Sequence, residues 1–195
     1  MKQKVFKFSI VMAVYNTEPF LRETIASVLS QDIGFEENVQ LILIDDGSTD
    51  GSGELCDRFA SLYPENIVCI HKENGGVSSA RNEGIKRVEG EFVNFMDSDD
   101  KFSIDAFRKV YEFFSAHKQD VDIVSVPEML FDGWNGSHIL NDKYRNGTRV
   151  IDLRKEPEHV LMGVSYCFIK KEIFNDILFC ETLEYGEDSR MAWEI

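Results

Sequence analysis

Short apolar runs alternate with segments of helical periodicity between residues 8 and 96, and this alternation restricts the fold more than any other feature. The apolar runs are rich in β-branched and aromatic residues and have the length of buried strands. They cover residues 8–15, 40–44, 67–70 and 91–96. Strands that alternate with helices of about 10 to 15 residues indicate βαβ units. The sequence therefore predicts an α/β fold with a mainly parallel sheet.

Helices are predicted between these strands and after the last of them. The predicted segments cover residues 18–31, 77–88 and 104–117, and one further helix contains Leu55, Phe59 and Leu62. Pro19 lies in the first turn of the first helix, where its missing N–H is not needed, and Ser103 is the predicted N-cap of the last. The expected apolar stripes are Phe20, Leu21, Ile25, Val28 and Leu29 in the first helix, and Leu55, Phe59 and Leu62 in the second.

The later part of the chain is less regular. Residues 122–126 and 163–170 have the pattern of further strands, whereas residues 127–157 are polar and contain Gly133, Gly136 and Gly147. Glycines in such a polar stretch predict hairpins or a segment that leaves the core. No feature divides the chain, so we expect one domain over residues 1–195. The last helical segment reaches Ile195 without a C-cap, which suggests a domain truncated at its C-terminus.

Three carboxylates follow the fourth predicted strand directly. Asp97, Asp99 and Asp100 are separated only by Ser98, and carboxylates this close repel one another unless a cation lies between them. Oxygen ligands without Cys or His favour Mg²⁺ or Mn²⁺ over zinc. Ligands of open α/β sheets bind outside the carboxyl ends of the strands. An acidic turn that precedes the next helix explains the same residues, and both interpretations stay open at this point.

A second acidic pair, Asp45 and Asp46, follows the second strand and precedes a Gly-Ser turn. Such a carboxylate accepts hydrogen bonds from a ring N–H or a ribose hydroxyl. Residues 73–82 place two glycines and two serines at a helix start, where free N–H groups favour an anion. Arg81 lies one turn further on and could reach a phosphate or a base. Its alternative role is an ordinary surface salt bridge of little energetic value.

Composition and missing motifs exclude several classes of protein. The chain has 35 acidic and 21 basic residues and a net charge of −14, which argues against a nucleic-acid-binding protein. The sequence contains no GxxxxGK[ST] phosphate loop, and no GxGxxG follows the first strand. Kinase, P-loop hydrolase and dehydrogenase schemes therefore fit poorly.

The cysteines and histidines form no obvious ligand pattern. Cys56, Cys69, Cys167 and Cys180 are widely spaced and contain no CxxC pair. This favours buried free thiols in a reducing compartment over a disulfide or a zinc site. The four histidines show no ligand pair. The N-terminal apolar run is too short for a signal peptide, and no stretch could cross a bilayer. We expect a cytoplasmic protein. This location is compatible with a protein that acts on a lipid-carried substrate at the inner face of the membrane.

With these residues laid out, the chain resembles glycosyltransferase family 2, whose members are nucleotide-sugar enzymes of the GT-A fold. The resemblance is carried by five short motifs that occur in the family's order and span nearly the whole chain. They are VYNTE at 14–18, IDDGSTDGS at 44–52, ENGGVSSARNEGI at 73–85, FMDSDD at 95–100 and YGED at 185–188. The resemblance implies a seven-stranded mixed sheet flanked by helices, with a Rossmann-like nucleotide-binding half over residues 1–100 and an acceptor-side half over residues 101–195.

The resemblance also implies a role for particular residues. The implied nucleotide-binding residues are Ala13, Tyr15, Asp46, Asn74, Arg81 and Asp97. Asp97 and Asp99 match the family's DxD motif, and Asp99 would bind a divalent cation, Mn²⁺ or Mg²⁺, on the diphosphate. Asp188 matches the base that activates the acceptor. The two acids Glu187 and Asp188 would by themselves be a routine arrangement at a helix start.

These roles predict a metal-dependent, inverting transfer of a sugar, most often from a UDP-sugar, to a hydroxyl group. The acceptor would be a saccharide, a cell-surface polymer or a lipid-linked molecule, as for the transferase module of larger bacterial enzymes that build surface polysaccharides. Peripheral membrane association is compatible with this role, and the sequence does not specify the oligomeric state. Two alternatives remain. One is a non-catalytic module that binds a nucleotide or glycan, and the other, which fits less well, is a nucleotidyltransferase.

Overall fold

The structure is a computed structural model, and it describes residues 4–131, 136–144, 147–159, 163–183, 187, 190 and 191. Eight strands and five α-helices are assigned among these residues. The strands are β1 (Phe8–Val14), β2 (Val39–Asp45), β3 (Ile67–His71), β4 (Phe92–Asp97), β5 (Ile123–Ser125), β6 (Met129–Leu130), β7 (Gly136–Ser137) and β8 (Cys167–Lys170). The helices are α1 (Glu18–Leu29), α2 (Phe35–Asn38), α3 (Ser52–Leu62), α4 (Val77–Ile85) and α5 (Ala106–Ala116). Short 3-10 helices cover Ile139–Tyr144, Pro157–His159 and Lys171–Asn175.

The main sheet has the strand order β3-β2-β1-β4-β8-β5. The first four of these strands are parallel, whereas β8 runs antiparallel to both β4 and β5. The predicted α/β fold with a mainly parallel mixed sheet is therefore confirmed. The main sheet has six strands among the described residues rather than the implied seven, and β6 and β7 form a separate hairpin. This hairpin lies in the stretch where hairpins or an excursion were predicted.

Two hydrophobic clusters cover the two faces of the sheet. Successive residues of a strand point to opposite faces, so Ile10 and Met12 of β1 join one cluster and Val11 joins the other. The first cluster contains residues of α1, α3 and α5, and the second contains residues of α4 and the later segments around Phe174 and Phe179. The result is a three-layer arrangement of helices, sheet and helices.

Two details of the predicted helices are wrong. Phe20 is 51% exposed and Leu62 is 69% exposed, although both were placed on buried stripes. The predicted N-cap Ser103 is also incorrect, because α5 begins at Ala106 and has Asp105 as its N-cap residue. Gln31 explains the shift: its side chain donates to the Ser103 carbonyl at 2.9 Å and accepts from the Phe107 N–H at 3.1 Å. A distant glutamine thus satisfies the helix N–H that a local cap would have bonded.

No helix in the described part of the chain has the length and apolar character that spanning a membrane requires.

Candidate functional site

The crevice at the carboxyl ends of β1 and β4 is the natural ligand site of this sheet. The chain passes from β1 to β2 and β3 on one side, and β4 then lies on the other side of β1. The order of the strands reverses there, and open α/β sheets bind their ligands outside such a reversal. The register places Ala13 beside Asp97 and Val14 beside Asp45. Predicted site residues from three parts of the chain therefore meet at one edge.

The acidic pair Asp45 and Asp46 at the end of β2 is divided between the two faces of the sheet. Asp45 shares the face of Leu43, which packs on the α3 side, and Asp46 follows Ile44 on the α4 side. This separation results from the period of two along a strand. Asp45 bonds to His71 of β3 at 2.8 Å. Only Asp46 is thus directed toward the predicted nucleotide-binding residues on α4.

Asp46 is buried and binds the start of α4. Its Oδ1 accepts hydrogen bonds from Lys72 Nζ at 2.6 Å and from the Gly75 N–H at 3.0 Å. Its Oδ2 accepts from the Gly76 N–H at 2.8 Å. The side chain is 4% exposed. Two N–H groups at the helix start that was expected to favour an anionic ligand thus donate to the protein's own carboxylate.

Two glycines permit this turn. Gly47 has a φ of +77°, and a Cβ at this position would lie 3.0 Å from the backbone nitrogen of Asn74. Gly76, the N-cap residue of α4, has a φ of +84°. Both dihedrals lie in the left-handed region that favours glycine. Asn74, a predicted nucleotide-binding residue, is therefore held beside the Asp46 turn with its side chain exposed.

The loop after β1 is fixed by a short network that was not foreseen. Asn16 has a φ of 53°, and its Oδ1 accepts a hydrogen bond from the Thr49 N–H at 2.8 Å. The Asn16 N–H donates to Ser48 Oγ at 3.1 Å. Asparagine tolerates positive φ better than most residues, which is the one signal in the sequence for this conformation. The network positions Tyr15, which is 50% exposed at the same edge.

Arg81 is buried, so its interpretation as a surface salt bridge is wrong. The residue is 3% exposed. Its Nη2 donates to Asp97 Oδ1 at 3.0 Å, and its Nη1 lies 3.6 Å from Glu187 Oε1. The guanidinium carbon lies 5.2 Å from the centre of the Phe179 ring. Arg81 therefore connects the acid cluster after β4 with the segment that contains Glu187.

The acid cluster provides exposed oxygen donors. Asp99 and Asp100 are exposed, and Asp97 is partly exposed beside Arg81. The loss of hydration among surrounding protein atoms, together with the charges of Asp97, Asp99 and Glu128, raises the pKa of Asp100 to about 6. A divalent cation would relieve this repulsion. Hard carboxylate oxygens fit Mg²⁺ or Mn²⁺, whose remaining ligands are usually phosphates and water.

The structure thus brings several of the predicted residues to one crevice. Ala13, Tyr15, Asp46, Arg81 and Asp97 lie at the carboxyl ends of β1, β2 and β4 or on the adjacent α4. Asn74 adjoins the Asp46 turn, and Asp99 follows β4 by two residues. Asp188, the predicted base, lies outside the described residues. No pattern in the sequence indicates Lys72 or Phe179, because each meets its partner only after the chain has folded back.

Comparison with known proteins identifies the family. The family model described as "Glycosyl transferase family 2" matches residues 9–178. The chain is 45% identical over 194 residues to the minor teichoic acid biosynthesis protein GgaB of Bacillus subtilis (strain 168), covering 98% of this chain and 21% of GgaB. It is 40% identical over 185 residues to GgaA of the same organism, covering 93% of this chain and 41% of GgaA.

A solved structure extends the likeness to three dimensions. The crystal structure of Staphylococcus aureus TarS in complex with UDP-GlcNAc matches with a TM-score of 0.82 and 25% identity, covering 97% of this chain and 53% of that chain. The chain belongs to glycosyl transferase family 2, and the predicted GT-A fold is confirmed. It spans about a fifth of GgaB and about two fifths of GgaA.

Proposed function

We propose that this chain binds a UDP-sugar and catalyses metal-dependent, inverting transfer of a hexose or N-acetylhexosamine to a hydroxyl of a cell-surface polymer. The observation that carries the proposal is the convergence of Asp46, Arg81 and Asp97 at the strand reversal of a family 2 chain. The UDP-GlcNAc complex of TarS supports the class of donor. The names of GgaB and GgaA support a teichoic acid type of acceptor.

Asp46 would recognise the base. A carboxylate has about four lone-pair positions, and three of them are used by Lys72, Gly75 and Gly76. The remaining position, on Oδ2, would accept the ring N–H of uracil, and the exposed ring of Tyr15 would pack against the base. Because Asp46 is already fixed by three donors, the pocket would lose little side-chain entropy when the nucleotide binds.

The diphosphate would lie between Asp46 and the acid cluster. Neighbouring strands are about 4.8 Å apart, so β2 and β4, on either side of β1, place their ends roughly 10 Å apart. That separation suits a nucleoside diphosphate whose base lies at Asp46. Asp99, together with the partly exposed Asp97, would hold a divalent cation on the diphosphate. The bound cation would supply positive charge where negative charge develops on the leaving group.

Asp188 would act as the general base. An acceptor hydroxyl attacks the anomeric carbon from the face opposite the diphosphate, and Asp188 takes its proton. The neighbouring residue, Glu187, lies 3.6 Å from Arg81, which itself binds Asp97. This connection brings Glu187 to the same crevice, which supports the role proposed for its sequence neighbour Asp188. Direct displacement with one base inverts the configuration and needs no covalent enzyme intermediate.

Calorimetry with UDP and Mn²⁺ tests the donor site. We expect each ligand to raise the affinity of the protein for the other, because a shared cation couples the two equilibria reciprocally. Asp99→Ala should remove this coupling, whereas Asp120→Ala, a matched change of an exposed acid elsewhere on the surface, should leave it intact. If Mn²⁺ does not change the affinity of the unaltered protein for UDP, the proposed role of the metal is wrong.

A separate assay tests the base. Asp188→Asn should abolish sugar transfer to a teichoic acid acceptor while leaving the affinity for UDP nearly unchanged, because a base that faces the acceptor hydroxyl would not contact the nucleotide. If UDP binding and transfer are lost together, Asp188 is not the base. If UDP binds tightly but the unaltered protein transfers no sugar from any UDP-sugar, the chain is a non-catalytic binding module.

A further inference from the structure

A cluster of metal-ligating side chains lies on the face of the sheet opposite α4, at the edge strand β3. Cys69 and His71 are two residues apart on β3, so they point to the same face, and Asp57 of α3 packs against them. His71 Nε2 lies 3.0 Å from Asp57 Oδ1 and 3.6 Å from Cys69 Sγ. One donor atom of each residue lies within 4.8 Å of the other two, and no other group of three His, Cys, Asp or Glu donors does so within the described ranges.

The two separations measured from His71 match tetrahedral coordination. Zinc binds nitrogen and oxygen at about 2.0–2.1 Å and sulfur at about 2.3 Å. Tetrahedral angles then place a nitrogen about 3.3 Å from an oxygen and about 3.6 Å from a sulfur. The observed distances of 3.0 and 3.6 Å are close to both values. A zinc ion could therefore enter with small movements of the side chains, and water would complete the tetrahedron.

The orientation of His71 is also that of a metal ligand. A ligating histidine usually donates its other ring N–H to a carboxylate, which fixes the ring and its tautomer. Here His71 Nδ1 lies 2.8 Å from Asp45 Oδ2, so Nε2 is left facing Asp57 and Cys69. Asp45 is itself 5% exposed and is held at Oδ1 by the Ser48 N–H at 3.0 Å.

Two neighbouring residues support the cluster from α3. A Cβ at Gly53 would lie 2.8 Å from Asp45 Oδ2, so the absence of a side chain there allows α3 to approach the Asp45–His71 pair closely. The thiol of Cys56 is fully buried, and its interaction with the adjacent Cys69 raises the pKa of Cys56. The surroundings of the three donors are therefore built from buried groups, although Asp57 and His71 are open to solvent.

We propose that Asp57, Cys69 and His71 bind a zinc-class divalent cation, with Asp45 as the positioning residue for His71. From the sequence, free thiols were favoured over a zinc site because no CxxC pair is present. The fold brings Asp57 beside the Cys-x-His pair. The site is separate from the oxygen-donor site at Asp99, since a thiolate and an imidazole favour a softer ion than Mg²⁺ or Mn²⁺.

A hydrogen-bond network without a metal would also account for the arrangement of these residues. Hydrogen bonds to Asp57 and Asp45 raise the pKa of His71 to about 9, so a protonated His71 between two carboxylates would join α3, β2 and β3. In that network the Cys69 sulfur has no metal partner. An experiment that follows the Cys69 sulfur therefore distinguishes the two explanations.

Cobalt(II) is a suitable probe, because a thiolate ligand gives a charge-transfer absorption in the near ultraviolet and tetrahedral geometry gives intense visible bands. The metal-stripped protein should develop both signals with one Co²⁺ per chain, and Zn²⁺ should abolish them. Cys69→Ser should eliminate the charge-transfer band, whereas Cys180→Ser, the matched change at another partly exposed thiol, should retain it. Asp45→Asn should weaken binding by about 10- to 100-fold.

A labelling experiment without substitutions covers the case in which a variant fails to fold. Iodoacetamide should modify Cys69 in the metal-stripped protein, and Zn²⁺ should protect Cys69 but leave Cys180 reactive. Absence of the charge-transfer band in the unaltered protein, its survival in Cys69→Ser, or unchanged labelling of Cys69 with Zn²⁺ would each overturn the proposal. None of these measurements involves UDP, so their outcome does not depend on the donor site.

Discussion

The strands before and after Asp97 are held together in different ways. The four strands β1–β4 have 5 to 7 residues each and pair in parallel along most of their length. The later strands have 2 to 4 residues, and β8 joins β4 through only two residue pairs. The earlier region, up to Asp97, is thus held together by hydrogen bonds between the backbones of paired strands. The later region, after Asp97, depends more on contacts of individual side chains.

This difference predicts two levels of stability. Regions with few backbone hydrogen bonds and short ladders open at lower free energy than a central sheet. Several side chains of the earlier region reach across to the later one, and Phe8, Asn82 and Asn94 are three of them. Substitutions at such positions show how strongly the two regions are coupled.

The largest effect is expected for Phe8→Ala. Phe8 is fully buried, and its ring packs against Phe107 at 5.1 Å and Phe168 at 5.6 Å between ring centroids. Truncation of a buried phenylalanine costs about 3–5 kcal/mol of stability, and here it would loosen both regions together. Urea denaturation followed by circular dichroism measures the loss.

Phe20→Ala is the matched control, because that ring is 51% exposed. Exposed positions usually change stability by about 0.5 kcal/mol or less. Equal costs for the two substitutions would show that Phe8 does not link the regions as its contacts indicate.

Asp46→Asn should have the next largest effect, and it should be confined to the earlier region. The change leaves Lys72, 21% exposed at its side chain, without its carboxylate partner. The new amide N–H₂ must face either the Gly76 N–H or the Gly75 N–H together with Lys72. Loss of hydrogen bonds to a charged group costs about 1.5–3 kcal/mol. We expect a reduced urea midpoint together with loss of UDP binding. Asp50→Asn, on the exposed part of the same loop, should change neither by a comparable amount.

Asn82→Ala should affect the later region alone. The Asn82 side chain donates to the Phe179 carbonyl at 2.9 Å and accepts from the Phe179 N–H at 2.8 Å. It also donates to Glu181 Oε1 at 2.8 Å. Two neutral bonds of this kind contribute about 1–2 kcal/mol. Hydrogen exchange should accelerate around residues 177–183 while β1–β4 stay protected. A uniform acceleration across the sheet would instead show that the regions unfold as one unit.

The same contrast explains how much could be predicted from the sequence. Strand and helix patterns with periods of 2.0 and 3.6 are local, and they were sufficient for β1–β4, α1 and the parallel sheet. The motifs around Asp46, Arg81 and Asp97 also follow strands directly, so their meeting at one edge follows from the topology. In the later region a strand was predicted over residues 163–170, but the observed strand covers only Cys167–Lys170. Only these last residues pair with another strand.

Contacts between distant residues could not be predicted in this way. The glutamine that caps α5 lies 76 residues before the N–H that it bonds, and Asp57 lies 14 residues before His71. Likewise, DD in a sequence looks like one acidic pair, whereas the strand directs Asp45 and Asp46 to opposite faces. Such features depend on the packing of whole elements, which no local pattern records.

The smallest expected effect concerns Leu62, where a local pattern was misleading. Helical spacing placed Leu62 on the stripe of Leu55, but it lies at the last residue of α3 and is 69% exposed, compared with 7% for Leu55. Leu62→Ala should therefore change stability by about 0.5 kcal/mol or less, whereas Leu55→Ala should cost about 2–5 kcal/mol. The two changes remove the same atoms from one helix, so their urea midpoints isolate the effect of burial. Similar midpoints would mean that the outer surface of α3 is covered in solution, which would place the end of this helix in an interface.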